Sequence, residues 1–175
     1  MVENISLIKP SMDFEKGILA YQVEFSEFVH GSSLLAEFET INGWLEYLKL
    51  SENKETIPNK NFVPCIEYML VNNDSKKVLG LLNLRLELND YLTKIGGYIG
   101  YSVAPSERRK GYGSLMLKEG LKLAKTYHID PVLLTCDDDN LGSASVIENN
   151  GGVLENKVYI EEDKVWVRRY WIENN

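Results

Sequence analysis

A chain of 175 residues has room for one domain with a substantial core, and 1–175 reads as a single domain. With 44% hydrophobic and 26% charged residues it has the make-up of a soluble globular protein, and no apolar run approaches the ~20 residues of a membrane helix. A formal net charge of -7 argues against nucleic acid as the main partner.

The N-terminal Met-Val-Glu-Asn-Ile lacks the basic and apolar regions of a signal peptide. Cys65 and Cys136 stand apart inside strand-like runs, which fits reduced thiols in a cytoplasmic protein. Asn4 to Lys9 alternates as a first strand, ended by Pro10, with Ser11 as a helix N-cap. Phe14, Ile18, Tyr21, Phe25 and Phe28 then fall on one helical face, and Gly31-Ser-Ser closes that helix. Leu34, Phe38, Ile41, Leu45 and Leu48 continue the stripe, with Thr40 able to start a second helix around Trp44. Residues 51–64 are a polar loop. Ile66, Tyr68 and Leu70 mark a strand, and Asn72 to Lys77 a turn. In the third strand Leu82, Leu84, Leu86 and Leu88 point one way and Asn83, Arg85 and Glu87 the other. That polar face either lines a groove or meets water. A fourth strand runs from about Ile95 to Val103, interrupted by Gly96, Gly97 and Gly100, which suit a bulge or a close ligand.

Between Tyr101 and Tyr127 a strand enters a basic glycine loop that opens a helix with Met116, Leu117, Gly120, Leu121 and Ala124 on one face. Pro131 to Cys136 reads as a strand covered on both faces. A short helix from about Gly142 to Asn149 follows, then a hairpin of Val153 to Ile160 and Val165 to Ile172. The order is β-α-α-β-β-β-α-β-α-β-β.

The loop itself is Arg108-Arg109-Lys110-Gly111-Tyr112-Gly113-Ser114. Unpaired amides at a helix start, small residues and three cations together suit a phosphate. It is not a P-loop, and Met116 stands where a dinucleotide fingerprint needs Gly or Ala. Arg108-x-x-Gly111-x-Gly113 resembles the acyl-CoA loop of the GNAT superfamily of N-acetyltransferases, Gln/Arg-x-x-Gly-x-Gly/Ala. The whole element order is similar to that family's α/β (α+β) fold, a central mixed, mostly antiparallel sheet of about seven strands flanked by about four helices. Arg85, Asn89 and Gly96-Gly-Tyr-Ile-Gly-Tyr101 resemble a bacterial subgroup, with Tyr98 in the place of a histidine.

The resemblance implies transfer of an acetyl group from acetyl-CoA, as co-substrate, to a primary amine of a small molecule or a peptide. It implies that the pantetheine pairs with the fourth strand at Tyr101, Ser102 and Val103. The pyrophosphate would rest on Arg108 to Ser114, and Asn140 would hold the pantetheine or simply cap its helix. Two positions depart from the pattern. Gly97 stands where a glutamate base is frequent, and Ile147 where a phenol commonly protonates the leaving thiolate. An alkyl ammonium of pKa ~10.4 must lose its proton at a cost of about 4 kcal/mol at neutral pH, against about 1.5 kcal/mol for a thiol of pKa ~8.5, so a base matters more than an acid. Glu87 and Tyr98 are the expected base candidates, with Glu67 and Asp137 behind them, and Arg85 is a candidate partner for an acceptor carboxylate. His30 and His128 are given no catalytic role. Nothing has metal-ligand spacing, and no metal is expected. The other class of function open to such a chain is a GNAT-fold module that senses acyl-CoA or binds a protein without catalysis. Homodimerisation through the C-terminal strands is compatible with either.

Overall fold

Period-two alternation in the first part of the chain builds a four-stranded antiparallel sheet, in the order β1 (Ile5–Ile8), β2 (Cys65–Asn72), β3 (Lys77–Arg85) and β4 (Ile99–Val103). The structure, a computed structural model, describes residues 4–26 and 29–174. The helices are α1 (Glu15–Gln22), α2 (Ile41–Ser51), α3 (Asp90–Lys94), α4 (Tyr112–Thr126) and α5 (Leu141–Asn149). A second antiparallel sheet places β7 (Val165–Ile172) between β5 (Val132–Asp137) and β6 (Val153–Ile160).

Both faces of the first sheet are covered. Ile18, Tyr21, Trp44 and Leu48 pack with Met69, Val71 and Leu81 on one side. Met116, Leu117, Leu121 and Ala124 pack with Ile66, Leu70, Leu82 and Leu84 on the other. Each leucine, isoleucine, valine or methionine among them contributes roughly 1.5–3 kcal/mol by leaving water. The α4 stripe read from the sequence is the buried set observed. The polar residues read from β3 are not equivalent: Asn83 is buried with Leu81 on the face toward α1 and α2, while Arg85 is only partly covered.

Several boundaries differ from the sequence expectation. Ser11 makes no side-chain cap, and a 3-10 turn over Met12–Phe14 leads into α1. That helix stops at Gln22, so Gly31 does not close it. Phe25 lies past the end, its ring centroid 5.0 Å from that of Tyr21, and Phe28 falls outside the described residues. Chain from Val29 onward is drawn across to β4 instead: Ser102 Oγ donates to the His30 carbonyl at 2.6 Å. Thr40 does cap α2, accepting from Gly43 N at 3.1 Å. The Asn89-Asp90 connection is a helix start, Asn89 Oδ1 accepting from Leu92 N at 2.9 Å, and this adds α3 to the four helices expected. The seven strands form two sheets rather than one continuous sheet.

Those sheets meet at one point. Gly97 bridges to Leu134, Tyr98 N donates to the Leu133 carbonyl at 2.8 Å, and Gly96 N donates to Thr135 Oγ1 at 2.7 Å. Past this junction no ladder joins β4 to β5, and the sheet is open between them. Gly97 has φ +62, and a Cβ there would overlap the Leu133 carbonyl oxygen. A side chain at this position is therefore excluded twice, by backbone conformation and by contact. Gly97→Ala is expected to lower stability by roughly 1–3 kcal/mol from the left-handed backbone alone, with the clash adding to it. Chemical denaturation of the two proteins measures the difference.

Candidate active site

The opening between β4 and β5 continues into a cavity of about 610 Å³. Ile99, Gly100 and Tyr101 line it from β4, and Thr135, Cys136 and Asp137 from β5. The first turn of α5 closes one end with Asn140 and Ser143. The other end is apolar, with Leu34, Tyr47, Phe62, Val63, Tyr91 and Leu92. Phe62 and Tyr91 remain 47% and 61% exposed, so their rings stand at the mouth with uncovered apolar surface.

The two ends differ in chemistry. At the α5 end, Asn140 Oδ1 accepts from Ser143 N at 3.0 Å, so Asn140 caps the helix while also lining the cavity. Tyr101 OH lies 3.0 Å from Ser143 Oγ, and burial pushes the Tyr101 phenol up to about 12, so it is a proton donor at neutral pH. The side chain of Ile147 is buried in the core shared with α4 and does not line the cavity. Beyond β4, the glycine loop folds against the same end. Gly113 sits against Val146 of α5 and Val103 of β4, and Arg108 Nε donates to the Val103 carbonyl at 3.4 Å.

Of the three loop cations, Lys110 is held at 2.8 Å by Glu107, whose other oxygen takes Lys77 at 2.6 Å. Those lysines, Lys110 first, keep the Glu107 carboxyl below its usual range. Arg109 is exposed with φ +61, and Gly111 starts α4 from φ +86. The first helical bond is donated by Leu115 N to the Gly111 carbonyl, so the first turn of the helix opens directly out of the glycine loop. Ser102 turns the other way, its hydroxyl 2.7 Å from Tyr21 OH.

Neither Glu87 nor Tyr98 lines the cavity. Glu87 lies past the end of β3, half-exposed and paired with Lys54 at 2.8 Å. Tyr98 packs against the α4-side core, its amide donating across the junction to the Leu133 carbonyl and its carbonyl accepting from Arg85 N of β3. Asp137 is at the cavity rim and exposed. Arg85 lines the cavity, but its Nη1 donates to the carbonyls of Gly96 and Gly97, each at 2.9 Å. Its first task is to fasten the junction.

Glu67 is in a different situation. It is 3% exposed, and its Oε2 accepts from Ser33 Oγ at 2.5 Å and Asn83 Nδ2 at 3.2 Å. Its Oε1 has no hydrogen-bond partner. Burial pushes the Glu67 carboxyl well above the ordinary carboxylate range, and the bonds from Ser33 and Asn83 offset only part of that. Ser33 and Asn83 are themselves cavity-lining residues, so Glu67 stands one side chain behind the wall. Sequence reasoning missed Ser33, treating Gly31-Ser-Ser as a helix stop. Cys65 and Cys136 also line the cavity, and burial raises both thiols, Cys136 to about 11. His30 lies at the same cavity. Among the described residues no group of three or more His, Cys, Asp or Glu is placed to hold a metal ion, and no helix is long and apolar enough to cross a membrane.

Known proteins place this geometry in a family. No curated protein matches the sequence significantly. Solved structures match over almost the whole chain. A ribosomal-protein-S5-alanine acetyltransferase from Vibrio fischeri is 17% identical, with a TM-score of 0.69 over 100% of this chain and 96% of that one. A spermidine N-acetyltransferase chimera from Vibrio cholerae and hSSAT is 17% identical, with a TM-score of 0.64 over 97% and 96%. An acetyltransferase of the GNAT family from Streptococcus pneumoniae is 16% identical, with a TM-score of 0.63 over 97% and 99%. At such identities the likeness is one of fold. The model of the acetyltransferase (GNAT) family matches residues 30–151, which span β2 to β5, the glycine loop and α5, and the chain belongs to that family of acetyltransferases.

Proposed function

We propose that this protein, acting as one domain in the cytoplasm, transfers the acetyl group of acetyl-CoA directly to a primary amine without a metal. The observation that carries this reading is the cavity between β4 and β5, lined by the first turn of α5 and by an apolar group at its mouth, with the glycine loop packed beside α5 and β4 at Gly113. A pantetheine arm fits the open edge of β4 at Tyr101 to Val103. The helix-start amides and the charge of Arg109 suit the pyrophosphate. An amide of β4 beside the thioester would stabilise the oxyanion, a type of donor worth roughly 3 to 4 kcal/mol where one has been removed.

Ile147 is inside the core, so the phenol that many family members place on this helix has no counterpart there. Tyr101 offers one from the neighbouring strand, protonated and directed at Ser143. The departing thiolate needs little help, as its pKa of ~8.5 lies near neutrality.

For the acceptor, the lining favours an amine on an apolar body. Asp137 is a carboxylate at the cavity rim, and Tyr47, Phe62, Tyr91, Val63 and Leu92 give the same cavity its apolar lining. A polyamine such as the spermidine acted on by one structural neighbour would leave further ammonium groups facing those rings. Burying an aromatic body there is worth roughly 1.5–3 kcal/mol. With 2-phenylethylamine, spermidine and an alanine-initiated peptide as probes, release of free thiol from acetyl-CoA is expected to be fastest with 2-phenylethylamine, about tenfold ahead of spermidine in kcat/KM. Tight CoA binding with no thiol release from any amine would instead support a sensing module. Arg109→Glu is expected to raise the KM for acetyl-CoA about tenfold, or about 1.4 kcal/mol, with little change in kcat. An unchanged KM would remove the loop from the donor site.

A further inference from the structure

Two acidic side chains are buried among the described residues, and they are treated differently. Glu107 is matched by two lysines. Glu67 has no ion pair, one unpartnered oxygen and two neutral donors on the other oxygen. Leaving a buried carboxyl oxygen without a partner costs roughly 1–3 kcal/mol, and an ionised carboxylate in that place costs more. Leucine at 67 would extend the Met69 and Val71 face without any such cost. A charge-bearing group kept there calls for a use.

Geometry supplies one. Glu67 is the cross-strand partner of Asn83, and Asn83 is the partner of Gly100. The three form one row over β2, β3 and β4, on the face toward α1 and α2. The row ends at a glycine, and Gly31 lies on it so closely that a Cβ on Gly31 would come within 2.5 Å of the Gly100 carbonyl oxygen. This contact presses the 31–34 segment onto β4. Ser33 and Leu34 both take positive φ, +43 and +62, and Trp44 Nε1 holds the Ser33 carbonyl at 3.1 Å. The Ser33 hydroxyl is thereby fixed between Glu67 and the cavity, 2.5 Å from Oε2 and 2.9 Å from Asn83 Nδ2.

We infer that Ser33 and Glu67 form a proton relay that takes the proton from the acceptor ammonium, Ser33 touching the amine and Glu67 storing the proton behind the wall. The inference rests on the acetyltransferase reading. With Glu67 ionised, the Ser33 O–H donates to Oε2. One Ser33 lone pair accepts from Asn83, and the other is open to the cavity. An ammonium N–H transfers its proton to Ser33 Oγ while the Ser33 proton passes to Glu67. The neutral amine then attacks the thioester carbon, the C–S bond breaks, and the second amine proton goes to the thiolate. Glu67 returns its proton through Ser33 to solvent, so the sum is ammonium plus acetyl-CoA giving amide, CoA thiol and one proton. A proton store suits this work when its affinity is well above that of an ordinary carboxylate, as burial makes it. Tyr21 of α1 and Cys65 of β2 also face Glu67, and burial raises both, so they stay neutral, while Arg85 of β3 supplies the positive field.

The test is the pH profile of kcat with saturating acetyl-CoA and each of the three probe amines, for wild type, Glu67→Gln and Ser33→Ala. Wild-type kcat is expected to rise to a plateau as Glu67 ionises. Both variants are expected to lose at least about 100-fold in kcat and the plateau with it, at an acetyl-CoA KM within about twofold of wild type. An acceptor-independent measurement accompanies it. A carboxyl with a raised folded pKa contributes its full stability below the unfolded value near ~4.3, and that stability is lost as pH rises toward the folded pKa. The Tm of Glu67→Gln relative to wild type is therefore expected to climb as pH rises above the unfolded value of ~4.3. Wild-type turnover with an unchanged profile in either variant overturns the relay alone. Turnover with no amine overturns the relay together with the acetyltransferase reading, and a flat Tm difference shows Glu67 to be ionised throughout and overturns the relay as well.

Discussion

The molecule depends on the junction at Gly96 to Tyr98, where two antiparallel sheets are held together over one short stretch and left apart elsewhere. Backbone bonds to Leu133 and Thr135 make the join, and the Arg85 guanidinium braces it from β3 through the Gly96 and Gly97 carbonyls. Arg85 suits this role because its Nη1 carries two N–H groups that reach both carbonyls. Asn89, four residues on, caps the short helix that leads back into the junction. Arg85, Asn89 and Gly96-Gly97 thus all serve the same junction.

Closing the sheets at one point and opening them at the next forces a choice on Gly97. A backbone that must touch Leu133 cannot also carry a side chain there. The position at which family members often put a glutamate is used in this chain for joining the sheets. Any acid needed for proton transfer has to come from elsewhere, and the polar row of Glu67 and Asn83 ends beside the same strand at Gly100. Structural demand and chemical demand have been separated by one sheet width.

What was legible in the sequence were the features set by near neighbours. The buried stripe of α4, the Thr40 cap, the limits of β6 and β7 and the glycine loop all follow from spacing within a few residues. Features set by distant contacts were misread. Alternation in β3 cannot reveal whether its polar face meets water or a second helical layer, so Asn83 and Glu87 looked equivalent although one is buried and the other is tied to Lys54. The end of α1 at Gln22 reflects the pull of β4 on residues 30–31, some seventy positions away in the chain. Ser33 was invisible for the same reason, since its hydroxyl meets Glu67 and Asn83 only after the helices have packed.

Placing the proton store inside the first sheet has consequences that a base on the cavity wall would avoid. Behind a wall of Ser33 and Asn83, a carboxyl is shielded from bulk water, which raises its proton affinity toward that of the group it must deprotonate. The same shielding costs stability whenever the pH favours ionisation, a familiar opposition between activity and stability at functional sites. The acid side has no such conflict. A thiolate leaves without much assistance, and Tyr101, already neutral and bonded to Ser143, needs no special environment to donate. On the proposed relay, the harder proton transfer is the one assigned to a buried group, on the α1 and α2 face of β2 and β3.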